Sequence, residues 1–229
     1  MNKLDDNPWL HVDLDDYENH MRLDTVQQLQ TLNRIMKDQL KGRKVDRIMI
    51  CGIAGGNGLE YVDTSMASRV YGLDVNPDYL VACEERFPGL AGVFKPVLAD
   101  MTDTSMDLPK ADMVIADLFL EYVGYQAFTT ALERIDPRFV SCVIQVNQSM
   151  DFVSDSPYAR VFDQLDTVYH HIDADSLIHT MKGQGYDSVY SSMTTLPNGK
   201  ALCRCDFERK TNTHPEPHSE RKGRKTGRE

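Results

Sequence analysis

The stretch Val45-Asp-Arg-Ile-Met-Ile-Cys-Gly-Ile-Ala-Gly-Gly-Asn57, followed by Gly58, decides how the rest of the chain is interpreted. Its apolar run at 48–51 predicts a buried strand, and the small residues at 52–58 predict a tight loop. A helical pattern at 59–62 follows at once. A strand, a small-residue loop and a helix in this order place backbone N–H groups and a helix N-terminus at the carboxyl edge of a sheet. By itself the stretch predicts a site for a nucleotide-like ligand at the end of a strand.

Strand and helix patterns alternate from this stretch to residue 146. Apolar runs predict further strands at 69–75, 97–99, 113–116 and 139–146. Between them, apolar residues at three- and four-residue spacing predict helices over 78–86 and 126–135. Such alternation is typical of a parallel sheet whose faces are covered by helices.

The two ends of this region complete the predicted architecture. Helical spacing of apolar residues predicts a helix over 17–40 and a shorter one over 175–181. Alternating runs at 187–196 and 200–207 flank Pro197-Asn198-Gly199, and Asn-Gly between two strands is typical of a hairpin. The predicted fold is α/β: a doubly wound, seven-stranded, mostly parallel sheet with an antiparallel C-terminal hairpin, flanked by helices and bearing an N-terminal helical cap.

Composition divides the chain into three predicted segments: a helical cap or lid over 1–43, a main domain over 44–208 and a disordered basic tail over 209–229. The tail carries seven Lys or Arg residues against three Glu, a net charge of +4, whereas the whole protein carries −10. The rest of the chain is therefore strongly acidic. Because binding to nucleic acid depends on Lys and Arg that neutralise phosphates, nucleic acid is disfavoured as a partner.

Composition also argues against a membrane protein, a secreted protein and a metal-binding protein. No window reaches the roughly 18 apolar residues of a membrane helix, and the polar, acidic residues 1–6 are unlike a signal peptide. The five cysteines are scattered, which predicts reduced, buried thiols and no metal site. We therefore expect a cytoplasmic protein that does not bind membranes and acts on a small molecule. Its oligomeric state is open, with a homodimer as one candidate.

The glycine loop does not fit the dinucleotide-binding motif Gly-x-Gly-x-x-Gly. Counting from Gly52 places Ala54 and Asn57 where the second and third glycines of that motif belong. The alternating small residues Gly52, Ala54, Gly56 and Gly58 instead resemble motif I of class I S-adenosylmethionine-dependent methyltransferases. In that family the loop wraps the ribose and the methionine moiety. The usual form of the motif has an acidic residue at the position of Gly52.

Three acidic residues extend the resemblance. Asp74 ends the second predicted strand in a match to motif II, where its carboxylate can accept hydrogen bonds from both ribose hydroxyls. Asp100 and Met101 occupy the places of the family's adenine-binding residues. Asp117 and Leu118 end a strand that resembles motif IV and would face the methionine end of the cofactor. The predicted final hairpin corresponds to the antiparallel seventh strand of the family.

The resemblance implies S-adenosyl-L-methionine as the cofactor and methyl transfer from its sulfonium as the reaction. The implied cofactor-binding residues lie in the glycine loop or at strand ends, and they are Gly52, Ala54, Gly55, Gly56, Gly58, Asp74, Val75, Asp100, Met101, Asp117 and Leu118. The acceptor is expected to be a small molecule. Two alternatives from other classes stay open: a non-catalytic module that binds the cofactor, and a nicotinamide-dependent oxidoreductase.

Candidate catalytic residues come from the N-terminal helix and from the segment before the late helix. Tyr17 and His20 are one helical turn apart, and family members carry a Tyr near this place on a helix that closes over the cofactor. His171 is a further candidate base, which a hydroxyl acceptor would need. We expect residues 9–21 and 148–172 to form a lid, so that replacing Trp9 or Tyr17 weakens cofactor binding.

Overall fold

The computed structural model describes residues 6–41, 43–146 and 157–210. Within them the chain forms seven strands: β1 Arg47–Cys51, β2 Arg69–Asp74, β3 Phe94–Leu98, β4 Met113–Asp117, β5 Phe139–Val146, β6 Tyr186–Thr195 and β7 Ala201–Arg209. They make one sheet in the order β3-β2-β1-β4-β5-β7-β6. Strands β1 to β5 pair in parallel, whereas β7 is antiparallel to both β5 and β6. This topology confirms the predicted sheet and its C-terminal hairpin.

Helices cover both faces of the sheet. In the described part of the chain they are α1 Leu14–Arg22, α2 Gln28–Leu40, α3 Pro77–Arg86, α4 Leu120–Ile135 and α5 Ala174–Gly183. Side chains of a strand alternate between its two faces. Val114 and Ala116 of β4 belong to one hydrophobic cluster, whereas Met113 and Ile115 belong to another. The sheet is therefore buried on both sides, as the near-continuous apolar runs of its central strands predict.

The N-terminal helix is two helices, although the apolar spacing predicted one. Helix α1 ends at Arg22, α2 begins at Gln28, and Gln27 between them has a φ of 51°. Periodicity does not detect the break because the apolar residues stay in phase across it. Asp24 and Thr25 lie in the break, and short polar side chains of this kind compete for backbone hydrogen bonds and favour turns.

The prediction of a helix directly after β1 is wrong. Residues Leu59–Tyr61 form a single 3₁₀ turn. The Asp63 carboxylate accepts hydrogen bonds from the amide and the hydroxyl of Ser65, at 2.9 and 2.6 Å, and such a local turn competes with helix formation. In the described residues the loop therefore meets the edge of the sheet without the helix N-terminus that the sequence pattern predicted.

Other element bounds differ from the predicted ones by a few residues. Strand β3 begins at Phe94 and includes Pro96, which an edge strand tolerates. Helix α4 begins at Leu120 and is kinked at Gly124, whose φ is 70°. Strand β7 runs to Arg209, into the predicted tail. Parts of the predicted cap, lid and tail lie outside the described residues, namely 1–5 and 42, 148–156, and 211–229.

Three findings bear on the kind of site to expect. No helix in the described residues has the length and apolar character needed to cross a membrane. The five cysteines are free and buried. Across the same described ranges, no group of three His, Cys, Asp or Glu side chains is placed to hold a metal ion.

Candidate functional site

Most of the predicted cofactor residues line one cavity at the carboxyl edge of the sheet. About 670 Å³ of space lies between the walls of this main cavity, part of it open to solvent. The predicted residues that line it are Gly52, Ala54, Asp74, Val75, Asp100, Met101, Asp117 and Leu118. The carboxyl ends of parallel strands meet at one edge, so residues far apart in sequence converge there.

The loop after β1 approaches the main cavity through its backbone. Gly52 has a φ of 65°, and a Cβ at this position would lie 2.8 Å from Cδ2 of Phe119. Glycine therefore suits this position, where the motif that the loop resembles usually has an acidic residue. Ala54 also has a positive φ, 46°, which is costly for a residue with a side chain. Its amide donates to Oδ2 of Asp74 at 3.0 Å, which helps to hold this conformation.

Asp74 holds the glycine loop and the start of α3 together. Asp74 is 7% exposed, and its Oδ1 accepts from the Asn76 amide at 3.0 Å while its Oδ2 accepts from the Ala54 amide. Burial raises the pKa of the Asp74 carboxyl, although these backbone donors partly offset that effect. A carboxylate oxygen has two lone pairs, so each oxygen can still accept a hydrogen bond from a hydroxyl of a ligand.

Asp100 follows β3 and already has several partners. Its Oδ1 accepts from the amide and the hydroxyl of Thr102, at 2.8 and 2.7 Å. Its Oδ2 accepts from Nδ2 of Asn7 at 3.2 Å. Met101 lies beside it and is 3% exposed. Part of the hydrogen-bonding capacity of Asp100 thus fastens the N-terminal segment, a role that the sequence pattern did not indicate.

Asp117 ends β4 with one unpartnered carboxylate oxygen. Its Oδ1 accepts from Nε2 of Gln39 at 2.8 Å. Its buried Oδ2 has no hydrogen-bond partner among the described residues. Burial raises the pKa of Asp117 to about 7. Because a buried, unpaired carboxylate is costly, this position favours a ligand that brings a cation or a hydrogen-bond donor.

The N-terminal segment 7–12 is fastened beside the main cavity at three points. Besides the contact of Asn7 described above, the Trp9 carbonyl accepts from Nδ2 of Asn76 at 3.1 Å. The Val12 carbonyl accepts from the hydroxyl of Tyr79 at 2.8 Å. Asn7, Trp9 and Tyr79 all line the main cavity. These contacts place the N-terminal cap at the site, and the sequence did not indicate them because they join residues that are distant along the chain.

Helix α1 is tied to the glycine loop by the ion pair of Glu18 and Arg86. Nη1 of Arg86 also donates to the Gly55 carbonyl at 3.2 Å, and a Cβ on Gly55 would overlap the ion pair. Gly55, predicted as a cofactor residue, therefore belongs to the contact between loop and cap and does not line the main cavity.

Gly56 and Gly58 are also placed away from the main cavity. Gly58 has a φ of 99°, and a Cβ there would lie 2.4 Å from Cγ of Met36 in α2. A Cβ on Gly56 would meet Phe87 and Cys83 at the end of α3. The absence of side chains at these two positions lets the helices approach the loop closely, so both glycines act in packing.

Two of the predicted catalytic residues line a second cavity, which we call the side cavity. Tyr17 and His20 both border it. Burial raises the pKa of Tyr17, so its hydroxyl stays protonated. Burial, with a smaller effect of the nearby Lys200 charge, lowers the pKa of His20 to about 4, so its imidazole is a weak base. His171 is exposed and borders neither cavity.

Glu121 is the side-cavity residue that the sequence interpretation missed. It is 3% exposed, and burial raises its pKa to about 7. The sequence does mark this residue, since Glu121 is an acidic residue inside the apolar run from Leu118 to Val123. The resemblance to motif IV singles out Asp117 and Leu118 of this segment instead.

No protein-family model matches the chain, and no curated protein matches it. Several solved structures match its fold. The N-methyltransferase NodS from Bradyrhizobium japonicum WM9, in complex with S-adenosyl-L-homocysteine, is 13% identical with a TM-score of 0.59, and the match covers 89% of this chain and 99% of NodS. Magnesium protoporphyrin IX methyltransferase from Synechocystis PCC 6803, with S-adenosylmethionine bound, is 10% identical with a TM-score of 0.58, over 84% and 83% of the two chains.

A third similar structure is named as a cyclase and not as a methyltransferase. The [4+2]-cyclase SpnF is 12% identical with a TM-score of 0.60, and the match covers 80% of this chain and 82% of the cyclase. At these identities the likeness concerns the fold, which is that of class I S-adenosylmethionine-dependent methyltransferases. A shared fold does not determine the reaction, so the function has to be argued from the site.

Proposed function

We propose that this protein is an S-adenosylmethionine-dependent methyltransferase that acts on a small-molecule acceptor. One observation carries the proposal: carboxylates at or just after the ends of β2, β3 and β4 meet around a single cavity bordered by the glycine loop. The fold supports it, and so do the similar structures solved with S-adenosylmethionine or S-adenosyl-L-homocysteine bound.

The side chains of the main cavity suit the parts of this cofactor. Asp74 would accept hydrogen bonds from the ribose hydroxyls. Asp100 would accept from the adenine amino group, with Met101 against the ring. The unpartnered Oδ2 of Asp117 would accept from the methionine ammonium, whose positive charge stabilises the ionised carboxylate and so lowers its pKa.

In catalysis the protein is proposed to align the methyl acceptor with the cofactor and to exclude water from the site. When bound, the cofactor supplies a methyl group on a positively charged sulfonium sulfur. An acceptor must lie in line with the bond from sulfur to carbon, in a site closed to solvent. Trp9, Tyr17, Leu118 and Tyr122 border both the main and the side cavity, so they are placed to cover the reacting atoms and to position an acceptor.

The segment around Trp9 acts in this proposal as the lid. The Trp9 ring meets Tyr17 and Tyr122 edge-on, at centroid distances of 5.7 and 4.8 Å. We expect Trp9→Ala to raise the Kd for S-adenosylmethionine about tenfold, because the ring covers the cavity and aromatic contacts of this kind are individually worth about 1 kcal/mol. Titration calorimetry measures the change. Met193→Ala, on the exposed edge strand β6, is the control, and equal Kd values for the two variants would contradict the lid role.

Calorimetry with S-adenosylmethionine, S-adenosyl-L-homocysteine and NAD tests the proposed function. We expect the first two to bind and NAD not to bind. Binding of NAD alone would favour the oxidoreductase alternative, and absence of all binding would also overturn the proposal. Binding of both cofactor forms without methyl transfer to any compound in a broad acceptor panel would favour the non-catalytic module.

The remaining parts of the proposal rest on charge and composition. Among the described residues no Lys or Arg borders either cavity, and the whole chain carries −10. Both facts favour a neutral or cationic small molecule over nucleic acid. A homodimer, a cytoplasmic location and a role for His171 stay predictions.

A further inference from the structure

The side cavity lies directly against the main cavity. Its wall shares Trp9, Tyr17, Leu118 and Tyr122 with the main cavity. Leu118 follows Asp117, the residue that we place at the methionine end of the cofactor. An occupant of the side cavity would therefore be the neighbour of the methyl group that is to be transferred.

Aromatic rings make up much of the wall of the side cavity. Phe162 lies 6.4 Å from Tyr17 and 4.8 Å from His20, measured between ring centroids. Tyr169 lies 6.3 Å from Tyr122. Aromatic faces attract cations, and the attraction is stronger where water is excluded. The wall thus suits a flat or apolar group that carries a positive charge.

Glu121 supplies one buried carboxylate to this wall. Its Oε1 accepts from the Gln145 amide at 2.8 Å. Its buried Oε2 has no hydrogen-bond partner in the part of the chain that the structure describes. A buried polar atom without a partner costs free energy. A ligand that donates a hydrogen bond to Oε2 would remove that cost.

Among the described residues, the side cavity beside Glu121 is lined by no Lys or Arg that would carry a positive charge at neutral pH. His20, with its pKa of about 4, is neutral there, and Gln28, whose Nε2 donates to Oε1 of Gln145, brings only an amide. The tyrosines of the wall are Tyr17, Tyr122 and Tyr169. Tyr125 on the same helix, Asp117, and His170, whose amide donates to the Glu121 carbonyl at 2.6 Å, are further titratable groups near Glu121. Lys200 lies close enough to influence His20 but does not border the side cavity.

We propose that the side cavity binds a small primary or secondary amine attached to an aromatic group, and that Glu121 anchors its ammonium and accepts its proton before methyl transfer. This inference rests on the proposed function. Carboxylate and phosphate acceptors are disfavoured, because the described residues of the wall include the acidic Glu121 and no Lys or Arg. The raised pKa of Glu121, about 7, suits a base that works near neutral pH.

The proposed step balances in atoms and charge. The ammonium transfers one proton to the Glu121 carboxylate and becomes a neutral amine with a lone pair. That lone pair forms a bond to the methyl carbon while the bond from sulfur to carbon breaks, and its electron pair stays on sulfur as a thioether. The product is an N-methylated ammonium ion, and the Glu121 carboxyl then loses its proton to water.

The test measures binding of three matched probes to the protein loaded with S-adenosyl-L-homocysteine: 2-phenylethylamine, 2-phenylethanol and phenylacetate. At pH 8 we expect the amine to bind at least tenfold more tightly than the other two. Its affinity should rise from pH 6 to pH 8, because the Glu121 carboxyl ionises in this range while the amine stays charged. In Glu121→Gln the Kd for the amine should rise roughly ten- to a hundredfold, as for a lost charge-assisted hydrogen bond, and the pH dependence should disappear.

The variant separates a role in binding from a role in structure. Glutamine keeps an oxygen that can accept from the Gln145 amide, so binding of S-adenosyl-L-homocysteine should stay unchanged. Glu133→Gln, at an exposed position of the same helix, is the matched control and should behave as the unmodified protein. Methyl transfer to 2-phenylethylamine, followed as formation of S-adenosyl-L-homocysteine, should fall in Glu121→Gln alone.

Several outcomes would overturn the inference. They are equal or tighter binding of phenylacetate or 2-phenylethanol, no binding of the amine to the loaded protein, and an unchanged affinity and pH profile in Glu121→Gln. If S-adenosyl-L-homocysteine itself fails to bind the unmodified protein, the proposed function fails and the inference fails with it. Titration of S-adenosyl-L-homocysteine into the unmodified protein therefore distinguishes failure of the proposed function from failure of the inference alone.

Discussion

Replacing Asp74 by asparagine is expected to weaken binding of S-adenosylmethionine roughly a hundredfold. Hydrogen bonds to a charged group contribute about 1.5–3 kcal/mol each, and we place both ribose hydroxyls on this carboxylate. The asparagine has a single acceptor oxygen, whereas Asp74 accepts from the amides of Ala54 and Asn76 through different oxygens. Its NH₂ group would therefore face one of these donors and also loosen the glycine loop.

Calorimetry measures the loss of affinity in Asp74→Asn, and thermal unfolding without ligand measures the effect on the loop. Asp78→Asn is the matched control, since Asp78 is an exposed acidic residue in the first turn of the helix that follows. We expect the control to bind as the unmodified protein does. A Kd for Asp74→Asn within about threefold of the control would remove Asp74 from the proposed ribose site, and with it the main support for this cofactor.

The second large effect is expected in the core, at Asp206 of β7. Asp206 is 2% exposed and accepts from Nε and Nη2 of Arg204, at 2.8 and 2.7 Å. Arg43 donates to it at 3.1 Å, and the Ser141 hydroxyl donates to it at 2.5 Å. Asp206→Asn would leave the buried Arg204 guanidinium without its counter-charge, and breaking a buried pair typically costs about 3–5 kcal/mol. We expect the free energy of unfolding to fall by about 3 kcal/mol.

Urea unfolding measures this loss, and β7 offers a close control. Glu208 is two residues further along the same strand and accepts from Arg138 at 2.8 Å, but both side chains are partly exposed. Exposed pairs contribute about 1 kcal/mol or less. Glu208→Gln should therefore lower the free energy of unfolding far less than Asp206→Asn does. Equal losses would show that burial does not strengthen the Asp206 cluster.

The Asp206 cluster also reaches the functional site. Gln39 of α2 is fully buried, and its Nε2 donates both to Ser141 at 2.9 Å and to Asp117 at 2.8 Å. A continuous set of hydrogen bonds therefore connects the buried ion pair on β7 with the carboxylate at the end of β4. Hydrogen bonds in a buried set of this kind hold each other in place, so the core fixes the orientation of Asp117.

The comparison of sequence and structure is most informative in the glycine loop. The small residues indicated a ligand loop, and Gly52 and Ala54 do line the main cavity. Gly56 and Gly58 look the same in the sequence, yet they face α3 and α2. Sequence shows that a position has no side chain, but only the packed helices show whether a ligand or a neighbouring helix uses that space.

The sequence by itself determined the sheet and the place of the loop, because strand periodicity and strand ends are local properties of the chain. Resemblance to the motifs of a family singled out the carboxylates Asp74, Asp100 and Asp117, and the fold brings them to one cavity. It did not determine the break between α1 and α2 or the missing helix after β1, since local turns replaced helix there without disturbing the apolar spacing. Nor did it reveal the fastening of segment 7–12 or the side cavity with Glu121. Those features join residues that are distant along the chain, and burial alone raised the pKa of Glu121. Only tertiary packing brings such groups together and removes them from water.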